Sequence, residues 1–221
     1  MKEVKVPLMQ NLNPLQMGDA VRLLADNGAS LAIDEVNWQA SFPYDPETTV
    51  RVAHTDTHLF LLYSVKGLQL RALAVEDHQS VWEDSCVEFF CRVPGSAYYM
   101  NFEANCIGTM TASRRISKKE DVHKLLPEEM AQIRRWSSCE RQRMDEQDGE
   151  FEWQVLLAIP LALIFRRPCA FPETLEANFY KCADKTKYPH FVSWSPIDLP
   201  TPNFHCPQFF GRMVLELGTD R

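Results

Sequence analysis

The chain has 221 residues, with 23 Lys and Arg against 30 Asp and Glu for a formal charge of −7, which is the size of one large domain or two very small ones. Its 45% hydrophobic and 24% charged residues suit a chain that buries one sizeable core, and they exclude general disorder, a collagen-like repeat and a disulfide miniprotein. The acidic balance excludes a duplex nucleic-acid binder, which needs a surplus of Lys and Arg to neutralise phosphates.

The opening stretch, MKEVKVPLMQNLNPLQ, has no basic region followed by an apolar run. No signal peptide is therefore expected, and the default compartment is the cytoplasm. No segment approaches the ~18 consecutive apolar residues of a membrane helix, so no membrane partner is expected either. Residues 16–27 place Met17, Ala20, Val21 and Leu24 at helical spacing, and Asn27-Gly28 supplies a stop. This predicts a short helix in an N-terminal extension covering residues 1–30, ahead of a sandwich domain at 31–217. Val50 and Val52 alternate with polar neighbours, Thr55–Thr57 turns, and LFLLYSV (59–65) is apolar on both faces. That pattern is a hairpin leading into a buried strand.

CVEFFCRV (86–93) sets Val87, Phe89, Cys91 and Val93 on one face, with Glu88 and Arg92 on the other. YYMNFEAN (98–105) turns Tyr98, Met100, Phe102 and Ala104 inward and groups Tyr99, Asn101, Glu103 and Asn105 opposite. The interval 114–150 holds nine Lys/Arg and nine Asp/Glu, so it reads as a solvated excursion, with a short helix at 128–136 after Pro127. FEWQVLLAI (151–159), LEANFYKC (175–182) and RMVLEL (212–217) alternate again. Many short strands with little helix predict an all-β fold, a single antiparallel β-sandwich. The seven cysteines are odd in number, scattered and without a CxxC. They read as buried thiols, with one or two bridges as the alternative in a secreted form, and no metal site is predicted.

The sequence has no GxSxG, P-loop, HExxH or GxGxxG, so no catalytic residues are assigned. Asp84, Glu88 and Glu103 are the carboxylates available for a glycosidase pair, which needs side chains ~5–9.5 Å apart across a bound sugar. His54 and His58 are spaced i,i+4 but flank the predicted hairpin turn, where that spacing does not make a metal pair. Among the five Trp, Trp153 lies in an apolar strand register, Trp38 anchors the first strand and Trp136 sits in the charged excursion. Trp82 and Trp194 adjoin loops and are the two expected to show a flat face to solvent. A sugar presents an apolar C–H face and a rim of hydroxyls, and it is bound by aromatic stacking plus polar side chains. Trp82 with Glu88, Asn101, Asn178 and Lys181 supplies that chemistry.

The motif string as a whole resembles the family 9 carbohydrate-binding modules and their relatives in the wider DOMON-like group. The resemblance is carried in order by IDEVNWQA (33–40), VWEDSCVEFFCRV (81–93), YYMNFEANCIGTM (98–110), GEFEWQVLLAIPLALI (149–164), EANFYKCADKTKYPHFVSWSP (176–196) and FHCPQFFGRMVLEL (204–217). Glu35 stands where the first segment usually has Gly, and Lys181 where relatives often have Arg. The resemblance implies a β-sandwich that binds a mono- or oligosaccharide without cleaving it. It clamps a terminal sugar residue between two Trp faces, with a Glu, an Asn and a cation on the hydroxyls. On this chain those roles fall to Trp82 and Trp194, Glu88, Asn178 and Lys181. No cofactor is implied, and the family's calcium ligands have no recognisable counterpart here. The usual setting, an accessory domain of a glycoside hydrolase, implies carbohydrate catabolism and association with a separate hydrolase. Three alternatives stand beside it: a haem-binding or redox DOMON-like module using Met100, Met110 or His190 as axial ligands, a glycan-processing hydrolase using Glu88, and an interaction domain that keeps the sandwich without the sugar site.

Overall fold

Period-two alternation becomes two facing sheets in a computed structural model that describes residues 1–217. In chain order the elements are β1 (Glu3–Val6), α1 (Met17–Asn27), β2 (Ala29–Ala32), β3 (Glu47–His54), β4 (His58–Ala72), β5 (Cys86–Arg92), β6 (Tyr99–Asn105) and β7 (Met110–Arg115). They continue with β8 (His123–Lys124), α2 (Pro127–Met130), β9 (Arg134–Ser137), β10 (Met144–Pro160), α3 (Leu161–Phe165), β11 (Glu173–Cys182), β12 (Phe191–Ser193) and β13 (Gly211–Leu215). The first sheet runs β1-β13-β11-β5-β6-β7-β8, with β12 also paired to β11; the second runs β2-β3-β4-β10-β9. All these pairings are antiparallel except β1 with β13, a parallel pair at the sheet edge. None of the described helices is long and apolar enough to cross a membrane.

The core forms where the inward residues of the two sheets meet. Val87, Phe89 and Cys91 of β5 and Met100, Phe102 and Ala104 of β6 face Leu61, Tyr63 and Val65 of β4 and Trp153, Val155 and Leu157 of β10. The Tyr63 hydroxyl finds its partner there, donating to the Glu88 carbonyl at 2.9 Å. A fully buried Phe removes roughly 1.5–3 kcal/mol worth of apolar surface from water, so these alternating positions hold the sheets face to face.

The helix expected at 16–27 forms as α1, and two features depart from the expectations above. The segment ahead of residue 31 is built into the sandwich, because β1 and β2 are edge strands of the two sheets. Helix α1 lays Ala20 and Leu24 over Phe60, Leu62, Leu156 and Ala158 on the outer face of the second sheet, which is why LFLLYSV is apolar on both sides. In the charged excursion the helix stops after Pro127–Met130, a single turn. Arg134–Ser137 instead pairs with Ala158–Val155 as an edge strand, which gives the segment ladder hydrogen bonds along one side where a one-turn helix leaves most of its backbone groups unpaired. All seven cysteines are free thiols.

The outer face of the first sheet is covered too. Trp38, Phe90, Tyr99, Tyr180, Phe204 and Phe210 make a second apolar cluster beneath the loop that runs from β12 to β13. A cavity opens between that cluster and the polar half of the same face.

Candidate functional site

Strand register builds the floor of this cavity. Glu88 on β5 stands directly opposite Glu103 on β6, and Glu103 directly opposite Thr111 on β7. Cys86 faces Cys182 of β11 on the other side. Because successive side chains alternate faces, the parity that sends Val87, Phe102 and Ala112 into the core sends Glu88, Glu103, Thr111 and Arg115 outward. The cavity they line measures about 340 Å3, and loop residues including Trp82, Asp184, Phe191, Asn203, Phe204 and His205 complete its walls.

Trp82 sits at the mouth with 37% of its surface exposed. It belongs to a single 3-10 turn, Val81–Glu83, whose Val81 is buried in the apolar cluster and whose end is tied down by Asp84. The Asp84 carboxylate accepts Leu73 N–H and Ala74 N–H at 3.0 Å each, Asn105 Nδ2 at 3.0 Å and Arg71 Nε at 3.2 Å. The Trp82 carbonyl in turn accepts Asp184 N–H at 3.0 Å. Across the loop cluster Phe204 stacks on Tyr180 with ring centroids 4.1 Å apart, and the Tyr99 hydroxyl lies 2.9 Å from His205 Nδ1.

Burial governs the floor's acid–base state. It holds the Glu88 carboxyl well above the usual range, with neighbouring Cys182 and Glu103 adding to the effect. It pushes Glu103 up to about 7 and Asp184 up to about 6. Burial thus biases Glu88 toward the neutral acid, which offers one O–H donor beside an acceptor oxygen. Burial also pushes His205 down to about 3, leaving its ring neutral. Cys182 Sγ–H donates to Glu88 Oε1 at 3.1 Å, and the ligand atoms of Cys86, Glu88 and Cys182 all lie within 4.8 Å of one another. Burial raises Cys86 to about 12 and Cys182 well above its ordinary value. Cys86 and Cys182 are thus held as thiols rather than as a ready pair of thiolates.

Of the six residues read from the sequence, Trp82 and Glu88 line this cavity. Asn101 lies behind it, donating Nδ2–H to Glu103 Oε1 at 2.7 Å. The other three are elsewhere. Trp194, 4% exposed, packs edge-on to Phe179 in the inter-sheet core and does not form a second wall. Asn178 is engaged with backbone, accepting from Phe179 N–H and Ser195 N–H and donating to the Ser195 carbonyl. Lys181 has the opposite strand parity to Glu88. It points into the sandwich, donates to the Cys182 carbonyl at 2.8 Å and lies 2.8 Å from His190 Nε2, and burial lowers it to about 8. The axial-ligand candidates do not converge on a haem site: Met100 and Met110 are packed in the core, and the space beside His190 is about 10 Å3.

Sequence reading missed Thr111, Arg115, Asp184, Asn203 and His205 among the lining residues. Reading MTASRR (110–115) as a strand would have found the first two by alternation. The loop residues carry no periodic signal.

Comparison with known proteins adds to this geometry. The model of carbohydrate-binding family 9 matches residues 19–215. A "putative carbohydrate-binding protein" from Bacteroides uniformis ATCC 8492 is 36% identical, with a TM-score of 0.89 over 97% of this chain and 99% of its own. A carbohydrate binding module family 9 from Caldicellulosiruptor kristjanssonii in complex with glucose has a TM-score of 0.59 at 11% identity, covering 100% of this chain and 98% of that one. The same module in complex with cellotriose gives 0.59 and 11% over 99% and 95%; at that identity the likeness is one of fold. No curated protein matches the chain.

Proposed function

The chain belongs to carbohydrate-binding family 9, and from that membership we propose that it binds a saccharide without cleaving it, in the cavity on the outer face of the first sheet. The observation that carries this reading is the exposed face of Trp82 at the mouth of a cavity whose floor holds Glu88, Glu103, Thr111 and Arg115. The indole takes the C–H face of a pyranose ring, and the floor exchanges hydrogen bonds with its hydroxyls. Phe191 and Phe204 supply the remaining apolar lining, in the place first given to Trp194. A cavity of about 340 Å3 is at the small end of ligand sites, which suits the end of a chain rather than an internal run of residues.

The carboxylates argue for holding over cutting. Glu88 and Glu103 are cross-strand neighbours on one floor, whereas a glycosidase sets its two carboxyl groups on either side of the scissile bond. Both are also pushed by burial toward the neutral acid, so neither is a ready nucleophile. The setting we propose is carbohydrate catabolism, beside a separate glycoside hydrolase acting on the same glycan.

Calorimetric and tryptophan-fluorescence titration with a panel of mono- and oligosaccharides tests the reading. At least one sugar binds, and Trp82→Ala weakens it tenfold or more, about 1.4 kcal/mol, with little change in Tm. A panel that gives no response, or a Trp82→Ala protein that binds like wild type, overturns it.

A further inference from the structure

The cavity is unusual within this acidic chain because three of its lining residues are cations: Arg115 at the end of β7, Lys118 in the turn that follows and Lys124 on β8. Among the described residues none of the three makes an ion pair with a carboxylate. Four other arginines do: Arg71 with Asp84, Arg92 with Glu176, Arg135 with Asp77 and Arg167 with Glu173. Arg115 uses one terminal nitrogen on the Lys118 carbonyl at 3.1 Å and the other on Ser113 Oγ at 3.0 Å. Its Nε is buried with no partner. A buried donor left unmade costs about 1–3 kcal/mol, and bonds to charged groups are the stronger ones. Each terminal nitrogen also keeps a second N–H beyond the one it has given to Lys118 or Ser113, so the guanidinium retains donors for an anionic acceptor in the cavity.

The acids facing these cations do not cancel them. Glu88 and Glu103 are held toward the neutral form by burial, which leaves Asp184 as the carboxylate most ionised near pH 7, and burial raises it as well. The His205 ring is neutral. The lining therefore carries net positive charge at neutral pH although the whole chain is at −7.

We propose that the saccharide taken by this pocket is an acidic one, a uronic acid residue whose carboxylate meets Arg115 while Lys118 and Lys124 add attraction from the rim. This rests on the sugar-binding reading above and deepens it. A planar carboxylate suits the forked geometry of a single guanidinium. Phosphate sites are more often built on helix N-termini and convergent backbone N–H groups, and none of the three helices opens on this cavity.

The test is calorimetry on the full chain at low salt. Glucuronic, galacturonic and mannuronic acids are each compared with the neutral sugar and the uronamide, alongside inorganic phosphate and sulfate. At least one uronate is expected to bind tenfold or more tighter than its neutral and amide counterparts. That advantage should shrink with added salt, because exposed charges are screened over about 8 Å at 0.15 M. It should also shrink in Arg115→Gln and in the double variant Lys118→Gln/Lys124→Gln, whose two side chains are exposed and whose folding is not at stake. Neutral sugars binding as tightly as the uronates, or variants that keep the full advantage, overturn the charge preference and leave the sugar-binding reading standing. Phosphate or sulfate competing as well as the uronates also overturns it, by making the site one for free anions. No binding by any member of the panel overturns both readings.

Discussion

Asp84 and Glu88 lie four residues apart, both acidic, both buried, with unrelated tasks. Asp84 collects two backbone N–H groups, the Asn105 amide and the Arg71 guanidinium, and so fixes the turn that presents Trp82. Glu88 looks into the cavity. Alternation along the strand was enough to read the outward direction of Glu88, Asn101 and Glu103. It says nothing about depth, and Asn178 shows the limit: its amide is the right chemistry for a sugar, yet every bond it makes goes to its own backbone surroundings. Asp84→Ala strands Arg71 and three other donors at once. Breaking a buried pair of this kind costs about 3–5 kcal/mol, to be measured by urea denaturation. Sugar affinity is expected to fall with it, because the Trp82 turn loses its anchor.

At the level of elements, strands were legible and loops were not. The segments 86–93, 99–105 and 151–159 alternate cleanly and fold with the parity read from them, while Tyr98, read as inward, lies just outside β6 with its hydroxyl on Asp121. Trp194 misled because a Trp between a strand and a proline-rich loop looks exposed, while its environment is decided by residues far along the chain. Gly211 at the start of β13 is one of them. A Cβ built there would meet the Trp194 ring at 2.5 Å and the Lys2 carbonyl at 2.8 Å. The glycine lets the indole pack directly against the β13 backbone, which accounts for the Phe-Gly in FHCPQFFG. Gly211→Ala is expected to lower stability by about 1–3 kcal/mol through overpacking. A calorimetric melt showing a Tm equal to wild type would contradict that account. Lys181 was placed in the site by type and nearness in sequence; one step of strand parity separates it from Cys182, which does line the cavity.

For the whole molecule, the acidity read from composition and the positive lining of the cavity are compatible because charge is distributed by depth. The 114–150 excursion is neutral in sum, yet it contributes the Arg115, Lys118 and Lys124 that reach the cavity. Global stability carries the mark of the buried acids. Glu103 titrates near its ordinary value when unfolded and at about 7 when folded, so the folded state holds an extra proton between those limits. Its contribution is fully present below the unfolded value and is lost as pH rises through about 7. His205, pushed down to about 3, acts in the opposite sense at lower pH, so the clean observable is a difference. Glu103→Gln should gain stability relative to wild type as pH is raised from about 5 to 8, and a difference independent of pH would contradict the assignment. The fold class was legible because sandwich periodicity is global; the second apolar cluster that roofs the outer face was not, because it is assembled from irregular loops.

The floor of the cavity and the core of the sandwich are opposite sides of the same strands. Inserting or deleting one residue in β5 or β6 would exchange Glu88 for Phe89 and Glu103 for Phe102, destroying site and core together. The floor is thus frozen by the fold. Trp82, Lys118, Asp184 and Asn203 hang on turns whose length and composition touch no ladder. Diversification of ligand choice in proteins of this architecture is therefore channelled to the rim: a fixed polar floor, with new tastes acquired one loop at a time.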